Sequence, residues 1–109
     1  MKFRKVIAVI RPERLEAVEN AVKRLGVPGI TVTKVKGFGE YENFYSSECL
    51  SSHVRIEVFI DEQQADKLAL AVMDASHTGV EGDGIVAVLP VETVYHIRTR
   101  QKCESEVCD

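Results

Sequence analysis

Apolar and polar positions follow two different periods along this chain, one typical of strands and one typical of helices. Continuous apolar runs at 6–10 and 85–89 predict central strands that are buried on both faces. Alternating apolar residues at 54–60 and a run rich in β-branched residues at 30–36 predict two further strands. A last short strand is expected at 94–98.

Two other segments carry apolar residues at helical spacing. The first helix is expected from about 12 to 25, with Pro12 in its first turn and Gly26 placed to end it. The second helix follows Asp61, which is a residue type that caps helix N-termini. Its stripe of small and apolar side chains continues to Ser76.

The predicted order of elements is β-α-β, a loop, β-α-β and a short strand, so one pattern occurs twice. Right-handed crossovers in both halves give an α+β ferredoxin-like sandwich, with two helices on one face of a four-stranded antiparallel sheet and a short extra C-terminal strand. Because the strands at 6–10 and 85–89 are apolar on both faces, we expect the open face to pack against copies of the same chain.

Composition narrows the class of protein. The chain has 109 residues, enough for one domain, and its 45% hydrophobic and 28% charged residues are typical of a globular protein. No apolar run is long enough to span a bilayer and the N-terminus does not resemble a signal peptide, so a cytoplasmic location is expected. The net charge of −3 argues against general nucleic-acid binding.

The charge is unevenly placed along the chain. Residues 1–36 hold nine Lys and Arg against three Glu, an asymmetry that suits a small anionic ligand or a solvated surface. A glycine-rich turn offers a site for such an anion, and it reads Thr78-Gly79-Val80-Glu81-Gly82-Asp83-Gly84. Glycine permits backbone conformations in which N–H groups face an anion, so a phosphate site is predicted here. A plain helix-to-strand connector is the alternative.

Several segments of the chain match, in unbroken order, the motifs of one known family. They are Ile10-Arg11-Pro12, the run from Gly26 to Gly39 that ends in Val35-Lys36-Gly37-Phe38-Gly39, Val54-Arg55-Ile56-Glu57-Val58, Thr78-Gly79 with Gly82-Asp83-Gly84, and Pro90-Val91-Glu92 with Ile97-Arg98-Thr99. On these segments, which cover roughly residues 3 to 99, the chain resembles the PII-type signalling proteins.

The resemblance implies a PII-like domain over 1–99, with a loop at 38–53 and a polar tail at 100–109. It implies a homotrimer that binds adenine nucleotides in clefts between subunits and regulates a partner without being an enzyme. Packing or turn formation is the alternative role for each residue of the implied site. The nucleotide-binding residues that it implies are Thr31, Gly37, Phe38, Gly39, Glu57, Val58, Phe59, Gly82, Asp83, Gly84, His96 and Arg98.

Departures from the family pattern narrow the expected ligand. Val80 and Ile85 stand where nitrogen-sensing members carry lysines that contact phosphate, and His96 stands where they carry an arginine. Each lost cation removes a charge-assisted contact worth about 1.5 to 3 kcal/mol, so ADP or AMP is expected over ATP. Glu40 and Tyr41 replace an arginine and a glutamine that helps to hold magnesium and 2-oxoglutarate. We therefore expect no 2-oxoglutarate response and no nitrogen-sensing role.

The long loop and the tail hold candidates for regulation. A polar loop of this length in a small domain is more often functional than idle. The candidate loop residues are Glu40, Tyr41, Tyr45 and Cys49. In the tail, Cys103 and Cys108 are redox candidates, because a disulfide between them in a cytosolic protein would respond to redox state. A soft-metal site and an idle tail are the alternatives.

The paired tail cysteines are similar to those of PII-like proteins found beside bicarbonate transporters and carboxysomes, relatives that bind AMP or ADP. The leading hypothesis is a regulator of inorganic-carbon uptake or fixation, with ADP or AMP and bicarbonate as ligands and a membrane transporter or carbon-fixation component as partner. No metal site is predicted. The alternatives are a PII-like regulator linked to heavy-metal efflux or metal binding, and an enzyme. The enzyme would be a weak nucleotide hydrolase or a redox protein, with acid–base groups drawn from His53, His77, His96 and Asp83.

Overall fold

The protein folds into two β-α-β halves and a C-terminal hairpin. The structure, a computed structural model, describes residues 2–37 and 51–104. Its elements in chain order are β1 (Phe3–Ile10), α1 (Leu15–Arg24), β2 (Thr31–Gly37), β3 (Ser51–Asp61), α2 (Glu62–Ser76), β4 (Gly84–Val91), β5 (Tyr95–His96) and β6 (Gln101–Lys102).

The four long strands form one antiparallel sheet in the order β2-β3-β1-β4. β1 is central, and its Ile10 pairs with Val54 of β3 and with Gly84 of β4. β5 and β6 form a separate two-stranded sheet. With both helices on one face of the four-stranded sheet, this is the ferredoxin-like α+β fold that the sequence predicts.

The core lies between the sheet and the helices, because alternate positions of each strand meet the apolar stripe of a helix. Burying one such aliphatic side chain contributes about 1.5 to 3 kcal/mol. The largest fully buried side chains are Ile10, Ile56, Leu68, Val6, Val18, Val22 and Val72. In the described segments, neither helix has both the length and the apolar character needed to cross a membrane.

The helix boundaries differ from the predicted ones at the first N-terminus and agree at the second. The segment predicted as the first turn of a helix is a 3-10 turn, Pro12–Arg14, and α1 begins only at Leu15. Asp61 ends β3 and occupies the N-cap position of α2, as predicted, but its side chain makes no capping hydrogen bond. The Glu62 N–H donates to the backbone oxygen of Lys2 at 2.9 Å, which ties the start of α2 to the residue before β1.

The strand boundaries also differ. β3 begins at Ser51, inside the range 38–53 predicted as a loop, and its first residues pair with the end of β2. The predicted strand 94–98 is reduced to β5, because the chain turns at 97–100 with Arg100 at a φ of 60°. β6 then forms within the range 100–109 predicted as a tail.

The open face of the sheet has two chemically different halves. On β1 and β4 it carries apolar side chains, and Ile85 and Leu89 are 45% and 39% exposed in the single chain. On β2 and β3 it carries polar and charged side chains, among them Thr33 and Arg55, which are register partners. The apolar half agrees with the expectation that a copy of the chain covers this face.

Gly84 has a tighter steric requirement than Gly26, Gly29 or Gly79. Its φ is +108°, a conformation that side chains rarely adopt, and a Cβ atom there would lie 1.8 Å from the backbone oxygen of Val9. β4 must therefore begin with glycine in order to approach β1 this closely.

We predict that Gly84→Ala lowers the free energy of unfolding by about 3 kcal/mol or more, because both the backbone conformation and the contact with Val9 become strained. Urea unfolding at fixed protein concentration measures this change. Gly29→Ala is the matched control, since a Cβ atom at Gly29 meets nothing within 4 Å. Equal stability of the two variants would contradict the prediction.

Candidate functional site

The loop between α2 and β4, residues 77–83, is organised around the carboxylate of Asp83. Its Oδ2 atom accepts hydrogen bonds from the backbone N–H groups of Thr78 and Gly79, each at 2.9 Å. Its Oδ1 atom accepts from the Thr78 hydroxyl and, at 3.1 Å, from Nε of Arg11. The anion bound by the first amides of this loop, those of Thr78 and Gly79, is thus a side chain of the protein itself.

These hydrogen bonds set the ionisation of Asp83. Burial alone would raise the pKa of Asp83, but the bonds from Thr78, Arg11 and Gly79 outweigh that effect and hold the pKa well below its ordinary value. The carboxylate is therefore ionised at neutral pH, and it forms an ion pair with Arg11 across the start of the loop.

The backbone oxygens further along the loop are held by two other contacts. Nη2 of Arg11 donates to the oxygen of Glu81 at 2.8 Å and to that of Val80 at 3.4 Å. Nε2 of His53, whose side chain is only 3% exposed, lies 2.9 Å from the oxygen of Gly82. Because a carbonyl oxygen only accepts, Nε2 carries the hydrogen.

The amide side of the same segment has no hydrogen-bond partner among residues 2–37 and 51–104. The N–H groups of Glu81, Gly82 and Asp83 take part in none of the loop's hydrogen bonds with described residues. Three successive free amides are the donors that a phosphate group needs.

A second set of predicted site residues lies in a groove beside β2 and β3. Thr31 and Glu57 are register partners there, and they line an open groove of about 450 Å³ together with Phe59. Both oxygens of Glu57 are paired, Oε2 with Nζ of Lys5 and Oε1 with Nε of Arg55, each at 3.1 Å. The carboxylate is thus held in place with its charge compensated.

Val58, also predicted for this site, presents little side-chain surface to the groove. Its side chain is buried in the core between sheet and helices, so only its backbone is suited to contact a ligand. Phe59 is different, because its ring is 53% exposed on the open face, with Nζ of Lys5 lying 5.8 Å from the ring centroid.

The two groups of predicted residues lie beside opposite edge strands of the sheet. Thr31 begins β2, one edge strand, and Gly84 begins β4, the other edge strand, about 14 Å away across the sheet. Through the strand register Gly84 is level with Lys34, so it also lies about 10 Å from Thr31 along the strands. One chain therefore does not bring all the predicted residues into one site.

The hairpin residues belong to the Thr31 end of the sheet, since they follow the end of β4. His96 has a buried Nδ1 atom without a hydrogen-bond partner among the described residues. Arg98 is exposed in the 97–100 turn. The predicted residues Phe38, Gly39, Glu40, Tyr41, Tyr45, Cys49 and Cys108 lie outside the described residues.

Three of the four groups proposed for enzyme chemistry meet at the 77–83 loop. His77 is largely exposed, with Nδ1 3.8 Å from Asp83 Oδ2, and His53 contacts the backbone oxygen of the neighbouring Gly82. His96 lies near the other end of the sheet. The described segments contain no group of three or more His, Cys, Asp or Glu side chains arranged to hold a metal ion.

Cys103 forms a disulfide bond, and its N–H donates to the backbone oxygen of Val94 at 2.9 Å. The chain's other cysteines, Cys49 and Cys108, both lie outside the described residues, so the pairing of Cys103 with Cys108 stays a prediction.

Sequence reasoning missed two contributions to the site. In the sequence, Arg11 stands out only as part of a motif, and Lys5 is only one of nine bases within residues 1–36. Nothing local in the sequence marks either residue, because Arg11 contacts a loop about 70 positions away and Lys5 contacts Glu57 on the neighbouring strand. His53 was considered as an acid–base group, although its structural contact is with a backbone oxygen.

Comparison with known proteins identifies the family. The profile described as "Nitrogen regulatory protein P-II" matches residues 3–101. The chain belongs to the P-II family. It is 38% identical over 107 residues to the nitrogen regulatory protein P-II of Azospirillum brasilense, covering 92% of this chain and 96% of that protein. It is 37% identical over 107 residues to the P-II protein of Synechocystis sp., with the same coverage of both chains.

The fold comparison agrees. A crystal structure of Arabidopsis thaliana PII bound to citrate matches this P-II protein with a TM-score of 0.82 at 32% identity, covering 94% of this chain and 87% of that one. The predicted family and fold are therefore confirmed, and the family is a regulatory one by name. Membership of the carboxysome or bicarbonate-transporter group stays a prediction. So does the absence of a nitrogen-sensing role, since these relatives are named for nitrogen regulation.

We predict that Asp83→Asn lowers the free energy of unfolding by about 2 to 3 kcal/mol near neutral pH, because charge-assisted hydrogen bonds are lost. A lowered pKa in the folded state adds stability above the unfolded-state pKa of about 3.9, and this stability is lost as the pH falls. The difference between wild type and variant should stay constant from roughly pH 5 to 8 and shrink below about pH 4.

Urea unfolding across this pH range checks the prediction for Asp83. Asp66→Asn, at an exposed position of α2, is the control and should change stability little at any pH. A wild-type-to-Asp83→Asn difference that grows on acidification would refute the assignment.

Proposed function

We propose that this P-II family protein is a non-enzymatic cytoplasmic regulator that binds ADP or AMP in clefts between copies of the chain. The observation that carries the proposal is the separation of the two half-sites on the sheet, by about 10 Å along the strands and about 14 Å across them. The Thr31–Glu57 groove suits a base, and the amides near Gly82 suit phosphate. A second copy of the chain is needed to place one beside the other.

The half-site proposed for phosphate, around Gly82, has hydrogen-bond donors but few cationic side chains. The free N–H groups of Glu81, Gly82 and Asp83 supply hydrogen bonds, whereas Arg11 is already engaged with Asp83. The positions that carry lysine in nitrogen-sensing relatives hold exposed apolar side chains here, with Val80 58% and Ile85 45% exposed. Fewer cations favour a ligand with fewer phosphate charges, so ADP or AMP is proposed over ATP.

The other cation of the proposed cleft is Arg98. It lies in an exposed turn and makes no hydrogen bond or ion pair with the described residues, so its guanidinium is available to a ligand. Arginine binds phosphate through two parallel hydrogen bonds. In an assembly, the Arg98 of one copy would meet the phosphates held by the loop of its neighbour.

The open face of the sheet supports self-association. Its β1 and β4 half is apolar and exposed in the single chain, and burial there stabilises an assembly by about 25 cal/mol per Å². The homotrimer is proposed from the family resemblance. The carboxylate of Asp83 is engaged by Thr78, Gly79 and Arg11, and His53 is bound to a backbone oxygen, which favours a regulator over the alternative of a weak nucleotide hydrolase.

The physiological role is proposed from the tail. The paired cysteines resemble those of PII-like proteins associated with bicarbonate transport, and Cys103 is disulfide-bonded in this chain. We therefore propose inorganic-carbon uptake or fixation as the regulated process, with bicarbonate as a further ligand and a transporter or carbon-fixation component as partner. A role in heavy-metal efflux is the alternative.

We expect isothermal titration to show that ADP and AMP bind at least about tenfold more tightly than ATP. The loss of a cation weakens the binding of ATP most, because ATP carries the largest phosphate charge. Bicarbonate is added in parallel titrations, and 2-oxoglutarate is expected to give no heat in any of them. Absence of heat with all three nucleotides would refute the sensor. Phosphate release from ATP would favour the hydrolase, and tight binding of a soft metal would favour the efflux regulator.

We predict that Ala87→Glu both dissociates the assembly and abolishes ADP binding. Ala87 is an exposed residue of β4, paired with Ile7 at the centre of the open face, so a carboxylate there would be buried only between copies. Light scattering gives the mass, and titration gives ADP affinity. Gln63→Glu, on exposed α2 surface, is the control and should change neither. A monomeric variant that still binds ADP normally would place the site within one chain.

A further inference from the structure

Three successive backbone oxygens in the 77–83 loop are held by two side chains from outside the loop. Arg11, just after β1, binds the oxygens of Val80 and Glu81 through Nη2. His53, near the start of β3, binds the oxygen of Gly82 through Nε2. The loop is thus fixed on its carbonyl side by the residue that follows β1 and by a residue of β3.

Fixing these C=O groups also fixes the direction of the N–H groups in the same peptide units. A trans peptide group is planar, so the C=O of one residue points opposite to the N–H of the next. No cis peptide bond occurs in the described chain. Holding the oxygens of Val80, Glu81 and Gly82 therefore directs the following N–H groups, those of Glu81, Gly82 and Asp83, away from Arg11 and His53.

We propose that His53, together with Arg11, is a positioning residue that aims these three amides at a phosphate group without touching the ligand. This inference rests on the proposed nucleotide site and adds the residues that give its loop the binding geometry. A peptide that is free to rotate would have to lose that freedom on binding, whereas a held peptide is already oriented.

His53 offers the cleaner test of the two. Arg11 also pairs with Asp83, so replacing Arg11 disturbs the loop in two ways. His53→Leu leaves a buried group of similar size but removes the donor to the oxygen of Gly82. His53→Gln retains an N–H donor on a side chain that reaches a similar position.

The first experiment is titration of wild type, His53→Leu and His53→Gln with ADP and with adenosine. We expect His53→Leu to bind ADP about tenfold more weakly and adenosine within about twofold of wild type, because only phosphate uses the oriented amides. His53→Gln should restore most of the ADP affinity. Equal losses for ADP and adenosine in His53→Leu would show a general structural role and overturn the inference, as would unchanged ADP binding.

The second experiment does not depend on the nucleotide. Inorganic pyrophosphate is added to ¹⁵N-labelled protein, and the amide signals of Glu81, Gly82 and Asp83 are followed by NMR. They should shift in wild type and in His53→Gln, and at least about tenfold more pyrophosphate should be needed in His53→Leu. If wild type binds pyrophosphate here but not ADP, the proposed function fails and the inference stands. If pyrophosphate moves none of the three signals in wild type, the inference fails.

Unfolding curves recorded first show whether each variant is folded. Should His53→Leu not fold, Arg11→Lys replaces it in both experiments, because a lysine amine keeps the charge but does not reproduce the guanidinium contacts to the two oxygens and the carboxylate. Arg11→Lys should then weaken pyrophosphate and ADP but not adenosine. Equal weakening of ADP and adenosine in that variant would overturn the inference.

Discussion

The ion pair between Arg11 and Asp83 is the interaction on which the geometry of the site depends. It joins the end of β1 to the residue just before β4, at the point where Gly84 brings the two strands together. The loop has no secondary structure, and most of its residues are exposed, so apolar burial does little to fix it. The loop is fixed instead by the Asp83 carboxylate, which accepts hydrogen bonds from two amides, a hydroxyl and a guanidinium. Gly84 allows β4 to approach β1 closely, because it has no Cβ atom.

This arrangement explains how a loop can contain an anion and still suit an anionic ligand. The amides of Thr78 and Gly79 are consumed by the internal carboxylate, whereas those of Glu81, Gly82 and Asp83 are not. Arg11 compensates the charge of the carboxylate, so the field that reaches the free amides is smaller than that of an unpaired Asp. The Asp83 carboxylate therefore fixes the shape of the loop, and the N–H groups of Glu81, Gly82 and Asp83 remain as donors suited to a ligand.

The sequence predicted the fold because its signals are local and periodic. Strand alternation, helical stripes and Gly26 placed β1 to β4 and both helices within a few residues. The parts that could not be predicted depend on distant partners: Arg11 with Asp83, His53 with Gly82, and the N–H of Glu62 with Lys2. A glycine-rich segment shows that a tight turn is present, but it does not show which anion the turn holds.

The half-site geometry links ligand binding to assembly. Each chain carries Thr31, proposed to contact the base, on one edge strand of its sheet and Gly82, proposed to contact phosphate, just before the other edge strand. Under the proposed function, every complete site uses two chains, so the number of sites equals the number of chains in a closed assembly. A ligand that binds only the assembled form stabilises it in proportion to the logarithm of ligand concentration. The charged cluster on the open face, in which Lys5 of β1 and Arg55 of β3 pair with Glu57, then matters for both processes, because the same strands form the groove and the surface that meets the neighbouring copy.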